Sequence, residues 1–471
     1  MAEEARRSTA EHHLADALAA FGPMGWQRVD AVFAVTVAAE VGHLVYSTGE
    51  QMISRSPPES MFVLVREQRA LAAQSSTGPW WRMLLVLTDS GAIDIDCDYG
   101  ERPFPPGQLF APEAYRADLE TYPRARVPVW LAAYIGHRDR QRRTPRQAAA
   151  QARADRVGQV WARLAEYEFP PFPVMWARWA TIAAAFVAAE SDRGPRMLPW
   201  TGVFEGAALD GSTLHALPAG RAVLSGGVWN APALEAAYNN GAPMPDLYAG
   251  APDWVADPVL DPRAASGLLS FCYWWYEGHW YRGASPSAQE CAMAVPGVWT
   301  RDTVLDIVVG LIGNEPNHDA LQAIDRLLSA AEVGAVTHRA LVDVFGTDGR
   351  FDIDGALFHY SLAGLAPPEP EPRPAGEAIS QVRDYITGRG LDTTGYPLEH
   401  LVAERFSVGW MVHVPVPEGD TAIGRAIFYL GDDGLLEQSS SSIPAPDYIA
   451  EFEQHFAERH SVIGMGETRE R

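Results

Sequence analysis

A proline-rich segment near the C-terminus limits how this chain can fold more than any other feature. Residues 367–374 have the sequence PPEPEPRP, in which five of eight positions are proline. Proline holds φ at about −65° and lacks a backbone N–H, so such a run favours an extended, semi-rigid spacer over a helix or a sheet. We therefore expect more than one domain, with a separate unit after the spacer.

The residues after the spacer predict a helix, a set of antiparallel strands and a closing helix. Apolar residues recur at helical spacing over 377–388, and the alternation over 405–414 predicts one half-buried strand. The sequence Asp-Asp-Gly at 432–434 predicts a hairpin turn, because glycine adopts positive φ without strain. An apolar stripe over 448–456 predicts the closing helix.

This C-terminal pattern resembles the YrhB-like immunity domain of bacterial polymorphic-toxin systems. The resemblance rests on Arg405-Phe406, Gly409-Trp410, Gly424, Asp433-Gly434, Pro446 and Tyr448-Ile449. It implies that residues 375–460 form a small α+β domain that binds a toxin. Trp410 is expected to be a structural aromatic of its core.

The N-terminal part has a second recognisable order of elements. Its patterns predict a helix, two strands, a second helix, a hairpin and two closing helices, over residues 9–21, 26–48, 57–73, 80–99, 111–122 and 128–135. Asp89-Ser90-Gly91 supplies the turn of the hairpin.

This N-terminal pattern resembles the YezG-like family of immunity proteins. The residues that carry the resemblance are Asp96 to Pro103 (DCDYGERP), Pro112, Tyr115, Tyr122-Pro123-Arg124, Pro128 and Trp130-Leu131. It implies that residues 9–136 form an immunity domain, with Trp130 in a structural role.

The middle of the chain, residues 145–365, is expected to form a central α+β domain. Helices are predicted over 148–168, 174–190, 319–331 and 337–345, an aromatic hairpin over 270–282, and short strands over 350–353 and 356–361. The basic run 137–146 is most simply a solvated linker, and the proline-rich loop within 231–262 is a candidate to carry function. The predicted fold class is multidomain α+β, with antiparallel sheets flanked by helices.

Composition excludes several classes of function. The chain has 37 Lys and Arg against 60 Asp and Glu, a formal charge of −23, which argues against binding nucleic acid or an anionic membrane and suits a basic partner. The first residues lack the apolar core of a signal peptide, and the most apolar run, from Val174, predicts a buried helix because it contains Arg178. The expected location is the cytoplasm.

The sequence shows no motif that assembles catalytic chemistry, and we predict no cofactor and no metal site. Three cysteines without a paired spacing predict neither a disulfide framework nor structural zinc. Asp94, Asp96 and Asp98 share one face of a strand, where a partner-facing edge is favoured over a cation site. Cys272 and His279 could form a thiol–imidazole pair, although the aromatic neighbours of Cys272 favour a buried, inert thiol.

These patterns together predict a non-catalytic cytoplasmic immunity protein that binds and occludes a bacterial toxin. Residues 375–459 contain fourteen Asp and Glu against five Arg, a charge of −9, which suits a basic toxin such as a nuclease. The carboxylates expected to bind the partner are Asp94, Asp96, Asp98, Glu404, Asp432, Asp433 and Glu437.

Two other functions stay open at this point. One is an enzyme with its site around His279 in the central domain, and the other is a chaperone-like holdase that uses exposed aromatic residues. The sequence does not identify the toxin, the module that binds it, the role of the central domain or the oligomeric state.

Overall fold

The computed structural model describes residues 2–49, 51–75, 77–313, 318–367, 372–416 and 424–462, with side chains described from residue 9 to residue 456. Thirteen α-helices and three antiparallel sheets lie in these ranges, which confirms the predicted multidomain α+β class. The chain forms two compact units. The first contains residues 1–168, 206–213 and 220–294, and the second contains residues 169–205, 214–219 and 295–471.

The N-terminal elements build a five-stranded sheet with the order β3-β2-β1-β4-β5. The elements are α1 (Ala2–Phe21), β1 (Arg28–Val35), β2 (Glu40–Ser47), β3 (Met52–Arg55), α2 (Glu59–Ala72), β4 (Arg82–Thr88), β5 (Ile93–Asp98), α3 (Pro112–Thr121) and α4 (Val129–Gly136). In the central strand β1, Phe33 lies opposite Gly42 on one side and Met83 on the other. The apolar faces of α1 and α2 complete its core, through Leu14, Leu18 and Val65.

The next elements contribute to a seven-stranded sheet with the order β6-β12-β11-β10-β9-β8-β7. The elements are α5 (Pro145–Gly158), β6 (Arg163–Leu164), α6 (Phe172–Ala188), β7 (Arg196–Leu198), β8 (Thr201–Glu205), β9 (Gly211–Leu217), β10 (Arg221–Gly227), α7 (Pro232–Asn239), β11 (Phe271–Tyr276) and β12 (His279–Arg282). The predicted helix over 148–168 is too long. Gln159 takes a left-handed conformation (φ 53°) that ends α5, and the chain then extends as β6.

The apolar helix α6 is largely buried in the second unit. It packs against α8 (Arg301–Ile312), α9 (His318–Glu332) and α11 (Ile353–Leu362), and α10 (His338–Phe345) packs on α9 and α11. Arg178 on α6 is held by the carbonyl oxygens of Val298 and Trp299 at 3.1 and 2.9 Å. No described helix combines the length and the apolar character that a bilayer crossing requires.

Helix α11 corrects another expectation, because its residues were predicted as two short strands over 350–353 and 356–361. Asp352 is instead an N-cap, whose Oδ1 accepts a hydrogen bond from Gly355 N at 2.8 Å. Short apolar runs do not distinguish a strand from a buried helix, and here the cap and the packing on α6 decide for the helix.

The last sheet has the order β13-β14-β15-β16 and lies between two helices. The elements are α12 (Ala375–Gly388), β13 (Val402–Phe406), β14 (Gly409–His413), β15 (Ala426–Gly431), β16 (Leu436–Ser440) and α13 (Ala445–Val462). Val382 of α12 packs in a cluster with Phe428 of the sheet, and Phe452 of α13 contacts Phe406 and Tyr429.

The prediction of one continuous strand over 405–414 is wrong, because the chain reverses at residues 407–408 to form the β13–β14 hairpin. The strand β14 begins at Gly409, where a Cβ atom would lie 2.3 Å from the carbonyl oxygen of Leu430. Only glycine allows that approach of the two backbones. The Asp-Asp-Gly turn between β15 and β16 lies where it was predicted.

Candidate partner-binding site

Asp432, one of the carboxylates expected to bind the partner, is buried in the Asp-Asp-Gly turn. Its two carboxylate oxygens accept hydrogen bonds from Arg405 at 2.8 and 2.6 Å, and Oδ1 also accepts one from the backbone N–H of Arg373 at 3.2 Å. Burial opposes ionisation of Asp432, but the hydrogen bonds from Arg405 and Arg373 outweigh it and lower the pKa of this carboxyl. Asp432 therefore has a structural role in the turn, and its ion pair with Arg405 leaves it little surface for a partner.

The other C-terminal candidates differ in how far they are exposed. Asp433 is half-buried, and its Oδ1 accepts a hydrogen bond from Leu435 N at 3.1 Å. Glu437 is half-buried in the edge strand β16 and accepts a hydrogen bond from the Tyr448 hydroxyl at 3.0 Å. Glu404 is exposed on the opposite edge strand, β13, and its Oε1 lies 3.1 Å from Nε2 of His413. Of the four, Glu404 is the most accessible to a partner.

The N-terminal candidates lie on β5, the edge strand that pairs with β4. Asp94 and Asp96 are exposed, and the alternating residues Ile93, Ile95 and Cys97 pack against the N-terminal core. Asp98 is half-buried, forms an ion pair with Arg82 at 3.0 Å and accepts a hydrogen bond from Gly100 N at 2.8 Å. Two of the three predicted carboxylates are therefore available on one outward face.

The two aromatic residues predicted to be structural have different environments. Trp130 is buried, and its indole N–H donates to the Gly100 carbonyl at 2.7 Å. Trp410 is half-buried, and its indole N–H donates to the Arg373 carbonyl at 2.7 Å. Trp410 therefore ties the segment before α12 to the C-terminal sheet.

The structure does not bring the imagined thiol–imidazole pair together. His279 is exposed at the start of β12 and lies opposite Tyr276, whereas Cys272 is buried four residues further along β11. Burial raises the pKa of the Cys272 thiol well above its ordinary value, so this sulfur stays protonated. Trp274 and Trp280 of the same hairpin are buried and belong to the packing of the sheet.

The sequence did not predict a buried polar cluster around Asp261. Asp261 and Tyr248 both lie in the loop within 231–262 that was expected to carry function. The carboxyl group of Asp261 is buried beside Cys272, and its Oδ2 accepts a hydrogen bond from the Tyr248 hydroxyl at 3.0 Å. In the described part of the chain, Oδ1 has no hydrogen-bond partner. Burial raises the pKa of Asp261 to about 7, and its polar neighbours offset only part of that effect.

A second buried network, around Asp118, joins α2 and α3 to the residue before β4 and to the connection between β1 and β2. Arg69 donates to both Asp118 oxygens at 2.9 and 2.8 Å, and the Trp81 indole N–H and Val37 N donate to the same carboxylate at 3.0 Å each. Its signal in the sequence is periodicity, because Asp118 shares a helix face with Ala114 and Tyr115. With four hydrogen bonds and no exposure, Asp118 has a structural role.

Within the described ranges, no group of three or more His, Cys, Asp or Glu side chains is placed to hold a metal ion. The chain matches no protein-family model, and comparison with curated proteins finds no match. The geometry of the molecule itself is therefore the basis on which its function is inferred.

Proposed function

We propose that the protein is a non-catalytic immunity protein that binds a toxin of a polymorphic-toxin system and covers its active site. The observation that carries the proposal is the outward face of β5, where Asp94 and Asp96 present exposed carboxylates on the edge strand of the N-terminal sheet. This strand overlaps the sequence DCDYGERP, on which the resemblance to YezG-like immunity proteins rests.

The chemistry of an acidic edge strand suits a basic protein partner. An edge strand has a row of backbone N–H and C=O groups that can pair with another chain, and no described strand pairs with the outer edge of β5. Carboxylates beside that edge attract a basic surface and raise the rate of encounter. The C-terminal sheet repeats the arrangement on a smaller scale, since Glu404 is exposed on its edge strand β13.

The proposal assigns no catalytic role to the central region. Cys272 is buried and protonated, and His279 lies at the other end of the aromatic hairpin. A cysteine nucleophile needs an accessible thiolate with a base in reach, and this arrangement supplies neither.

The test requires the toxin, which we expect to be encoded next to this protein as the C-terminal domain of a secreted protein. Co-expression of the full chain should protect a bacterial host from that domain, and the two purified proteins should bind. The variant Asp94→Lys/Asp96→Lys should bind roughly tenfold more weakly, a loss of about 1.4 kcal/mol, with a changed salt dependence. Its melting temperature should stay close to that of the parent, because both side chains are exposed.

The matched control is Glu67→Lys/Glu120→Lys, which makes the same change of charge on exposed positions of α2 and α3. It should bind like the parent. If the full chain neither binds nor neutralises the toxin, the immunity function is refuted. If the chain protects, but only Glu404→Lys weakens binding, the binding face belongs to the C-terminal module instead of β5.

A further inference from the structure

Five large apolar side chains are exposed on one short segment of the first unit, which runs from the last turn of α5 toward the start of α6. Tyr167 is 93% exposed, Val157 86% and Trp161 71%, and Val160 and Leu164 are exposed as well. Monomeric proteins rarely leave so many large apolar groups together in water, and such patches mark interaction sites. We call residues 157–167 the apolar strip.

The inner side of the apolar strip is firmly held, so the exposure of its outer side is built into the fold. Asp155 is buried, its Oδ2 accepts a hydrogen bond from Gly250 N at 2.8 Å, and its carbonyl oxygen accepts one from Val160 N at 2.8 Å. A Cβ atom on Gly250 would lie 2.1 Å from Ala162 N, so only glycine permits this close approach. Further along, Ala165 N donates to the Trp280 carbonyl at 2.8 Å.

The strip lies in the basic part of an otherwise acidic protein. Residues 137–167 contain eight Arg and three Asp or Glu, a charge of +5, and the remaining 29 Lys and Arg against 57 Asp and Glu give −28. Arg153, Arg156 and Arg163 are exposed beside the apolar side chains, and none of them forms an ion pair with a described residue. The basic run predicted to be a linker directly precedes this segment in the sequence.

We propose that the apolar strip, with Arg153, Arg156 and Arg163, is a docking surface for a partner protein that presents acidic and apolar side chains. Trp, Tyr and Arg are the residues that most often dominate the binding energy of protein interfaces, and the strip offers all three. This surface is opposite in charge to the β5 face, so the protein would bind two partners of different chemistry.

Two other occupants fit the surface less well. A single-stranded nucleic acid would find arginines and two aromatic rings, but the aliphatic Val157, Val160 and Leu164 give its bases no ring to stack on. A second copy packed about a twofold axis would bring the like-charged guanidinium groups of both copies together.

The test uses the full-length protein and a fluorescently labelled random copolymer of glutamate and tyrosine as the acidic, aromatic probe. Fluorescence anisotropy should show binding that weakens with salt. Trp161→Ser/Tyr167→Ser should reduce the affinity roughly tenfold or more, and Arg153→Ser/Arg156→Ser should remove much of the salt dependence. Both pairs of side chains are exposed, so circular dichroism should show parent-like melting.

The matched control is Phe358→Ser, which removes an aromatic ring that is 60% exposed elsewhere on the protein and should leave the affinity unchanged. The proposal is overturned if the parent does not bind the copolymer, or if the strip variants bind it as tightly as the control does. Binding of labelled oligothymidylate in place of the copolymer would also overturn it, because the surface would then be a nucleic-acid site. So would a dimer in sedimentation that the Trp161→Ser/Tyr167→Ser variant no longer forms, because the occupant would then be a second copy. None of these measurements involves the toxin, so the outcome is independent of the proposed immunity function.

Discussion

Replacing Asp261 by asparagine tests whether this buried carboxyl is neutral in the folded protein. The side chain is 1% exposed, and only Oδ2 has a hydrogen-bond partner in the described part of the chain, the Tyr248 hydroxyl. Asparagine keeps an oxygen that can accept this hydrogen bond, has nearly the same shape and carries no charge at any pH. The variant therefore removes one titration and changes little else.

The direction of the effect follows from the two states of Asp261. Burial raises its pKa from 3.8 to about 7 in the folded protein, whereas the unfolded chain keeps an ordinary value. As the pH rises above about 4, the unfolded chain loses this proton and the folded protein retains it, so stability falls until the folded group also ionises near pH 7. At about 1.4 kcal/mol for each unit, the parent should lose roughly 3 kcal/mol between pH 5 and pH 8 through this group.

The measurement is urea denaturation of the parent and of Asp261→Asn at several pH values from 5 to 8. The difference in unfolding free energy between the two proteins isolates Asp261 from the other titrating groups. Asn should become more favourable than Asp by roughly 3 kcal/mol from the acid to the alkaline end of this range. The control Asp257→Asn removes a nearby exposed carboxylate, and its effect should be small and nearly independent of pH.

A difference between parent and Asp261→Asn that changes by less than about 1.4 kcal/mol over the range would refute the reasoning. Asp261 would then be ionised in the folded protein at neutral pH, with solvent or a cation compensating its charge.

Three further outcomes are expected. Asp118→Ala leaves the buried guanidinium of Arg69 without its carboxylate partner and should lower the free energy of unfolding, measured by urea denaturation, by about 3–5 kcal/mol. A loss below about 1 kcal/mol would mean that water replaces the carboxylate. Trp410→Phe removes the hydrogen bond to the Arg373 carbonyl but keeps most of the half-buried aromatic surface, so the free energy of unfolding should fall by only about 1 kcal/mol. An unchanged melting curve would contradict this expectation. Limited proteolysis should cut within residues 365–376 and release a folded C-terminal fragment, and resistance there would count against a domain boundary.

Local chemistry was enough to predict elements with strong periodicity or a specific turn. The β4–β5 hairpin lies close to its predicted range because an Asp-Ser-Gly turn separates two alternating runs. Helix α6 was predicted from apolar residues that face in nearly all directions, which is typical of a buried helix. In both cases the pattern within the segment is sufficient, because the competing structures would expose apolar surface.

The site residues were predictable only in part. Alternation placed Asp94 and Asp96 on one outward face of a strand, and the structure has them there. The position of Asp432 in a turn did not reveal its burial, because its partner Arg405 is distant in sequence and reaches it only when β13 and β14 fold back beside the turn.

The sequence by itself determined the α+β class, the positions of most helices and hairpins, and the excess of negative charge. Tertiary structure alone decided which charged groups are buried, where extended segments reverse, and which apolar residues remain exposed to solvent. The 157–167 segment shows why. Its apolar residues follow no single period, and the chain is extended where Gly250 approaches Ala162, which leaves Trp161 in solvent. Burial and ion pairing depend on contacts between residues far apart in the chain, and such contacts leave no local period to detect.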